Sequence, residues 1–200
     1  MYSQNNEEQV LLDYFKNFKG NLLDIGANDG IILSNSRKLL ELGWSGDLIE
    51  PSPKAFKKLK KLYSRKRKIK TYNLAIAEYT GIMLLFASGT HLNNGDSCLL
   101  STLSLKDKEK WQSTTEYNEV NVDVFTWNDF NKENKKYDFI TIDAEGYDLI
   151  ILKQLNLNEL ECKCLCIEHN GINLNAINEE MSKYNYKVIS QNLENIIYAK

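Results

Sequence analysis

The sequence predicts an α/β fold, a doubly wound and mostly parallel sheet of about seven strands with an antiparallel C-terminal strand and helices on both faces. Three observations carry this expectation. Asn21–Ile25 is a short apolar run that ends in a glycine-bearing turn and leads into an amphipathic stretch. Strand, tight turn and helix in that order form the entry unit of such folds. Apolar runs ending in an acid recur at Glu50 and Asp143, and the carboxyl ends of strands are where open α/β sheets bind ligands. Strand-like and helix-like stretches then alternate along 200 residues, with no internal repeat and no interdomain linker, a length that suits one ordinary domain.

Taken in order, residues 3–18 read as a helix with Leu11, Tyr14, Phe15 and Phe18 on one face. This N-terminal unit, residues 1–19, is expected to cover or flank a site, to pack in the core or to make a homodimer contact, and residues 20–200 form the main domain. After strand Asn21–Ile25 and the turn to Gly30, the period predicts a helix over Ile31–Leu42, stopped by Gly43 as a left-handed cap. Residues 46–49 read as a second strand, with Glu50 at its end. Ser52 and Pro53 fit the N-cap and first position of a helix whose buried face is Ala55, Phe56, Leu59, Leu62 and Tyr63. Ile69–Ala77 is expected as a third strand, with Asn73 and Ala75 near its carboxyl end, and Ile82–Ala87 as a further one. Ser88–Ser104 is a small-polar loop holding His91, Asn93, Asn94, Gly95, Asp96 and Ser97, long enough to suggest a role at a site. A one-sided strand around Val120, Val122 and Val124 follows, then a polar connection over Asn128–Lys136. Phe139–Ile142 reads as a buried strand ending in Asp143, ahead of a helix with Leu149, Ile150, Leu152 and Leu155. A strand carrying Cys162, Cys164 and Cys166 on one face ends at Glu168-His169. A helix through Leu174, Ile177, Met181 and Tyr184 and a final strand pair, Tyr186–Ser190 and Ile196–Ala199, complete the chain.

Composition narrows the classes. An apolar content of 42% and eleven tyrosines argue against disorder. No apolar run approaches the ~20 residues that span a bilayer, and no signal peptide opens the chain. Four cysteines without a leader predict a reducing, cytoplasmic setting. Cys162, Cys164 and Cys166 would spread over about 13 Å of strand, too far to share a zinc ion that needs sulfurs at ~2.3 Å; they read as buried small side chains. The net charge of −2 does not suggest a general polyanion binder. One segment departs from that average: Lys54, Lys57, Lys58, Lys60, Lys61, Arg65, Lys66, Arg67, Lys68 and Lys70 contain no acid between them. Such a run could track phosphates or be a solvated face, and no free aromatic is interleaved for base stacking.

The chemistry concentrates at two turns. Asp24-Ile25-Gly26-Ala27-Asn28-Asp29-Gly30 has the spacing Asp-x-Gly-x-x-x-Gly, not the Gly-x-Gly-x-x-Gly of dinucleotide binders. Gly26 and Gly30 allow close backbone approach, and the Asp24 carboxylate suits a cationic ligand better than a pyrophosphate. S-adenosylmethionine, with an ammonium and a sulfonium, is such a ligand. Glu50, twenty residues past Gly30, stands close to where nucleotide binders place the acid that holds ribose hydroxyls; the bland alternative is a surface acid ahead of a helix. At the second turn, Asp143 and Glu145 at a strand's end require solvent, a cation or a substrate.

Ile142-Asp143-Ala144-Glu145-Gly146, followed by an apolar helix, is similar to the Ile-Asp-x-Glu-Gly signature of the FkbM family of methyltransferases. Asp24 to Gly30, Glu50-Pro51 and Ile167-Glu168-His169 resemble that family's other landmarks in the same order, so the likeness covers about residues 20–200. Two positions depart: Thr141 stands where the family often has lysine, and Thr126-Trp127-Asn128 where Thr-Leu-Asp is common. The resemblance implies a Rossmann-like domain binding S-adenosylmethionine through Asp24, Gly26, Ala27, Asn28, Gly30, Glu50, Asn73, Ala75 and Asp143. It also implies in-line methyl transfer to a hydroxyl of a sugar, glycan or sugar-bearing metabolite. His169 is expected as general base, with Asp143 and Glu145 as the other catalytic candidates. Alternatively Asp143, Glu145 and His169 gather a divalent cation such as Mg2+. The rival readings are an RNA methyltransferase using the basic 54–70 segment, a non-catalytic binding module of the same fold, and a dehydrogenase, which the glycine spacing disfavours.

Overall fold

A computed structural model of the protein describes residues 1–92 and 96–200. Its strands are β1 (Asn21–Ile25), β2 (Ser45–Ile49), β3 (Ile69–Tyr72), β4 (Ala75–Ile76), β5 (Gly81–Ser88), β6 (Tyr117–Phe125), β7 (Phe139–Ile142), β8 (Cys164–Glu168), β9 (Lys187–Gln191) and β10 (Asn195–Ala199). Its helices are α1 (Glu7–Phe15), α2 (Arg37–Glu41), α3 (Pro53–Tyr63), α4 (Leu105–Trp111), α5 (Trp127–Phe130), α6 (Asp148–Leu152) and α7 (Leu174–Met181).

Seven strands form the main sheet in the order β3-β2-β1-β7-β8-β10-β9. The first five are parallel, and β10 runs antiparallel to both of its neighbours. Chain order reverses between β1 and β7, the switch point beside which open α/β sheets bind ligands. The register aligns the strand ends there: Ile25 lies opposite Ile49 of β2 and Ile142 of β7, and Ile142 lies opposite Ile167 of β8. Gly26, Glu50, Asp143 and Glu168 therefore sit at one edge of the sheet.

Strands β1, β2, β7, β8 and β10 are buried on both sides, so their residues divide between two cores with a period of two, while the edge strands β3 and β9 are partly or largely exposed. Leu23, Ile25, Ile140, Ile142, Leu165 and Ile167 pack with Ile151 and Leu152 of α6 and Ile177 and Met181 of α7. Leu22, Leu48, Phe139, Cys164 and Cys166 pack with Leu11 and Phe15 of α1, Leu39 of α2 and Leu59 of α3. The cysteines are buried and free. Cys162 precedes β8 and belongs to the opposite core, so the three do not share a face as the alternation had implied.

The structure departs from the expected elements in three further places. The helix after Gly30 is confined to α2, because Asp29 Oδ1 accepts the N–H groups of Ile31 (2.9 Å) and Ile32 (3.0 Å) and Leu33 is left-handed at φ 55°. This Asx-type turn competes with helix formation, and Ile31–Ser36 becomes a loop over the sheet edge. The expected strand Ile69–Ala77 is broken between β3 and β4: the chain leaves the main sheet and pairs β4 with β6 in a separate sheet, β4-β6-β5. A small third core of Ala75, Ala77, Leu85, Ala87, Val122 and Val124 sits behind it. The polar connection after β6 opens with α5, capped by Thr126 Oγ1, which accepts the Asp129 N–H.

Helix α3 buries Ala55, Leu59 and Tyr63 and leaves its lysines exposed. Among the described residues, only Lys58 of the ten bases in 54–70 lies within ion-pair distance of an acid, Asp29 at 3.8 Å. No helix formed by the described residues is long and apolar enough to cross a membrane.

Candidate active site

The turn after β1 is fixed by backbone geometry. The N–H groups of Gly26 and Ala27 both donate to the Ile49 carbonyl at 3.0 Å, and Gly26, Asn28 and Gly30 have φ of 92°, 46° and 76°. The turned chain presents the Asn28 N–H to Glu50 Oε2 at 2.8 Å, while Glu50 Oε1 accepts the Ser52 N–H at 2.7 Å. Glu50 is thus held by both oxygens with a lone pair on each to spare. Asp24 is buried and accepts a hydrogen bond from Ser36 Oγ on the loop before α2.

The second turn, after β7, is clamped by Asp148 at the start of α6. Its carboxylate accepts the N–H groups of Ala144 (2.8 Å) and Gly146 (3.1 Å), and Thr102 Oγ1 donates to the Glu145 carbonyl at 2.7 Å. Glu145 is held at φ 47°. The result brings carboxylate oxygens of Asp143, Glu145 and Glu168 within 4.8 Å of one another.

Both turns open on one cavity of about 360 Å³, a size within the range for small-molecule sites. Asp24, Gly26, Ala27, Asn28, Glu50 and Ala75 line one part. Leu85, His91, Leu92, Leu100, Trp111 and Tyr147 line another, and Asp143, Glu145 and Glu168 also border it. His91 packs edge-on to Trp111, with ring centroids 5.9 Å apart. The lining includes six acids, the five above and Glu194, but among the described residues no lysine or arginine. Asn35 Oδ1, His91 Nδ1 and Glu168 Oε2 are buried there without hydrogen-bond partners.

Burial raises the acids' proton affinities, and Lys110 offsets it only in part at Glu145. Burial pushes Asp24 up to about 6, against the Ser36 hydrogen bond, and Glu50 up to about 7, against its two backbone N–H bonds. Asp143 rises to about 8 through burial and then the nearby charges of Asp148, Asp24 and Glu50. Glu145 and Glu168 are raised well above the usual carboxylate range by burial and then by Asp143. A ligand carrying positive charge and hydroxyl donors fits this lining; a polyphosphate does not.

One consequence is measurable without any ligand. For Asp24 and Glu50, the folded protein keeps protons that the unfolded chain releases near pH 4. Their ionisation therefore opposes folding, and stability falls as pH rises from about 4 through 7. We expect the ligand-free protein to be less stable at pH 8 than at pH 5 by on the order of a few kcal/mol. Thermal melts at the two pH values check the sign, and a higher Tm at pH 8 would contradict it.

The structure places the sequence-predicted residues unevenly. Asp24, Gly26, Ala27, Asn28, Glu50, Ala75, Asp143 and Glu145 all line the cavity. Gly30 does not; a Cβ there would meet the Leu59 side chain at 2.7 Å, so its role is to admit α3. Asn73 is exposed outside the cavity, and its Nδ2 donates to the carbonyls of Glu50 and Pro51, both at 2.9 Å. His169 requires a correction. It is buried away from the lining, its Nδ1 accepts the Gly171 N–H at 2.9 Å and its Nε2 faces the Asn192 carbonyl at 3.2 Å. Both ring nitrogens are occupied, so His169 offers no lone pair to a substrate, and Glu168 takes its place in the acidic group. The loop expected at Ser88–Ser104 does reach the site through His91, Leu92 and Cys98–Ser101; Asn93, Asn94 and Gly95 lie outside the described residues. Trp111 and the clamping Asp148 had no signal in the sequence beyond their types.

Comparison with known proteins fits this geometry. Residues 24–188 match the family described as the methyltransferase FkbM domain. No curated protein matches the chain. Among solved structures, a methyltransferase FkbM from Methylobacillus flagellatus KT is similar over 91% of this chain and 44% of its own, with a TM-score of 0.58 and 16% identity. The chain therefore spans less than half of that protein. A ribosomal protein L11 methylase from Lactobacillus delbrueckii subsp. bulgaricus is similar over 97% of this chain and 76% of its own, with a TM-score of 0.53 and 11% identity. A putative RNA methyltransferase from Pyrococcus horikoshii is similar over 98% and 83%, with a TM-score of 0.51 and 13% identity. Likeness at these identities concerns the fold alone.

Proposed function

The chain belongs to the FkbM methyltransferase family, and from that premise we propose that it methylates a hydroxyl of a sugar, glycan or sugar-bearing metabolite, with S-adenosylmethionine as donor. The observation that carries this reading is the lining of the cavity: six acids, no lysine or arginine among the described residues, and an apolar wall containing Trp111 and Tyr147 beside three carboxylates. A sugar matches that wall, since its C–H faces pack on aromatic rings and its hydroxyls bond to acids.

S-adenosylmethionine would supply a methyl group activated by its sulfonium. Asp24 faces the cavity as a counter-charge for an ammonium, and Glu50 has an unused lone pair on each oxygen for the two ribose hydroxyls. Gly26 and Ala75 keep those walls low. Trp111, Tyr147 and His91 would orient the acceptor, and a carboxylate oxygen of Asp143 or Glu168 would take the proton that the hydroxyl loses as the methyl arrives. Positive charge entering the cavity favours the ionised form of those acids, so loading the donor readies the base.

Two measurements test the reading. Calorimetric titration should give one saturable S-adenosylmethionine site per chain. In a screen of sugar acceptors followed by release of the demethylated donor, Glu168→Gln should lower kcat about 100-fold, the lower range for losing a general base, while donor affinity stays within about threefold. Absence of donor binding would remove the reading. An unchanged kcat would remove Glu168 from it.

A further inference from the structure

We propose that Asp143, Glu145 and Glu168 form a binding site for one hard divalent cation, of the Mg2+, Mn2+ or Ca2+ class. The proposal rests on the methyltransferase reading only for the purpose of the cation; the site itself is argued from geometry and charge.

The three carboxylates come from two elements that the sheet register fixes side by side. Asp143 follows β7, Glu145 lies two residues beyond it, and Glu168 ends β8, with Ile142 opposite Ile167. One oxygen from each lies within 4.8 Å of the other two. In a coordination shell, oxygens on opposite sides of a cation are separated by twice the metal–oxygen distance. That is about 4.2 Å for Mg2+ and about 4.8 Å for Ca2+, while adjacent ligands lie closer. The observed spacing accepts such an ion with shifts of a few tenths of an ångström. It does not suit a soft metal, since among the described residues no sulfur or imidazole joins the group.

Two further observations point to a missing partner. Glu168 is only 7% exposed, and its Oε2 has no hydrogen-bond partner. Asn35, equally buried and lining the same cavity, leaves its Oδ1 without one. Buried acceptor oxygens are rarely left unpaired, and among the described residues neither has a lysine or arginine along the cavity wall to turn to. The donor alone cannot hold all six acids in their ionised form. Its ammonium and sulfonium are offset in part by its own carboxylate, leaving one net positive charge against a lining of six acids. A divalent cation supplies the rest. It would stand beside the acceptor wall, where a sugar hydroxyl could complete its shell, and three of the six carboxylate oxygens would remain free to take that hydroxyl's proton.

The test is Mn2+ titration of the full chain, with free Mn2+ read by electron paramagnetic resonance, alone and with S-adenosylmethionine. We expect one ion per chain, displaced by Mg2+ or Ca2+. Glu168→Gln and Asp143→Asn should each weaken binding at least tenfold. Glu194→Gln, which removes a cavity acid outside the trio, should change it less than threefold. Circular dichroism of each variant establishes that it is folded. No saturable Mn2+ binding by the native chain overturns the site, and so does an equal loss in Glu168→Gln and Glu194→Gln, which would mean diffuse attraction. A parallel donor titration separates the two ideas: donor binding without Mn2+ binding sinks the cation site alone, and Mn2+ binding without donor binding sinks the methyltransferase reading alone.

Discussion

Gly26→Ala should destabilise the protein by about 4 kcal/mol or more, in the range reserved for strain and forced backbone movement. A Cβ at position 26 would stand 1.7 Å from the carbonyl oxygen of Asp143, and φ there is +92°. The obstruction is backbone, so no side-chain rotation relieves it. β1 and β7 would have to part at the sheet's switch point, and the turn that presents the Asn28 N–H to Glu50 would move with them. Gly171→Ala is the internal control. Its φ is +69°, but a Cβ there meets nothing within 4 Å, so only the left-handed conformation is penalised, about 1–2 kcal/mol. Urea denaturation of the two variants should give clearly different midpoints. Similar midpoints would mean that the close approach of the two turns is not rigid.

Glu50→Gln should weaken S-adenosylmethionine binding about 100-fold, or about 2.7 kcal/mol. Two contributions combine. On the proposed reading, charge-assisted bonds to the ribose hydroxyls would become neutral ones, and such bonds differ by about a factor of two in strength. In addition, both oxygens of Glu50 accept backbone N–H groups, from Asn28 and Ser52. A glutamine has one oxygen, so its amide nitrogen must face an N–H donor and the clamp on the side chain is lost. Calorimetry on the variant checks this, with Glu194→Gln as an acid-removing control. A loss below threefold would place the ribose elsewhere.

The sheet and the two turns were legible because both depend on local signals. Strands buried on both faces read as apolar runs, and Asp24-x-Gly26 and Asp143-x-Glu145-Gly146 mark where they end. What failed was parity and competition. Glu168 and His169 are adjacent at a strand's end, so alternation lets only one of them reach the cavity. Cys164 and Cys166 pack toward α1, and Glu168 follows on that side. His169 turns instead to Gly171 and Asn192. The residue type favoured the histidine; the period of two favoured the glutamate. The lost helix over Ile31–Ser36 is a competition, in which an aspartate side chain takes N–H groups that a helix would have used. The broken strand at Asn73–Leu74 contains no glycine or proline; the Asn73 side chain bonds to the Glu50 and Pro51 carbonyls there, and β4 pairs with β6 instead of continuing β3.

That second sheet divides the labour of the protein along the chain. Residues 75–111 supply Leu85, His91, Leu92, Leu100 and Trp111, whereas Asp24, Glu50, Asp143, Glu145 and Glu168 belong to the main sheet and its edge. The small sheet has its own core. Substitutions at Leu85, Leu92, Leu100 or Trp111 therefore leave the acids in place, whereas Thr102 and Ser97 of the same stretch bond to Glu145 and Asn28 at the two turns. On the proposed reading, a lineage could change its acceptor by drifting at those four positions of one stretch of sequence, while Asp24, Glu50 and the three clustered carboxylates stay where the main sheet puts them.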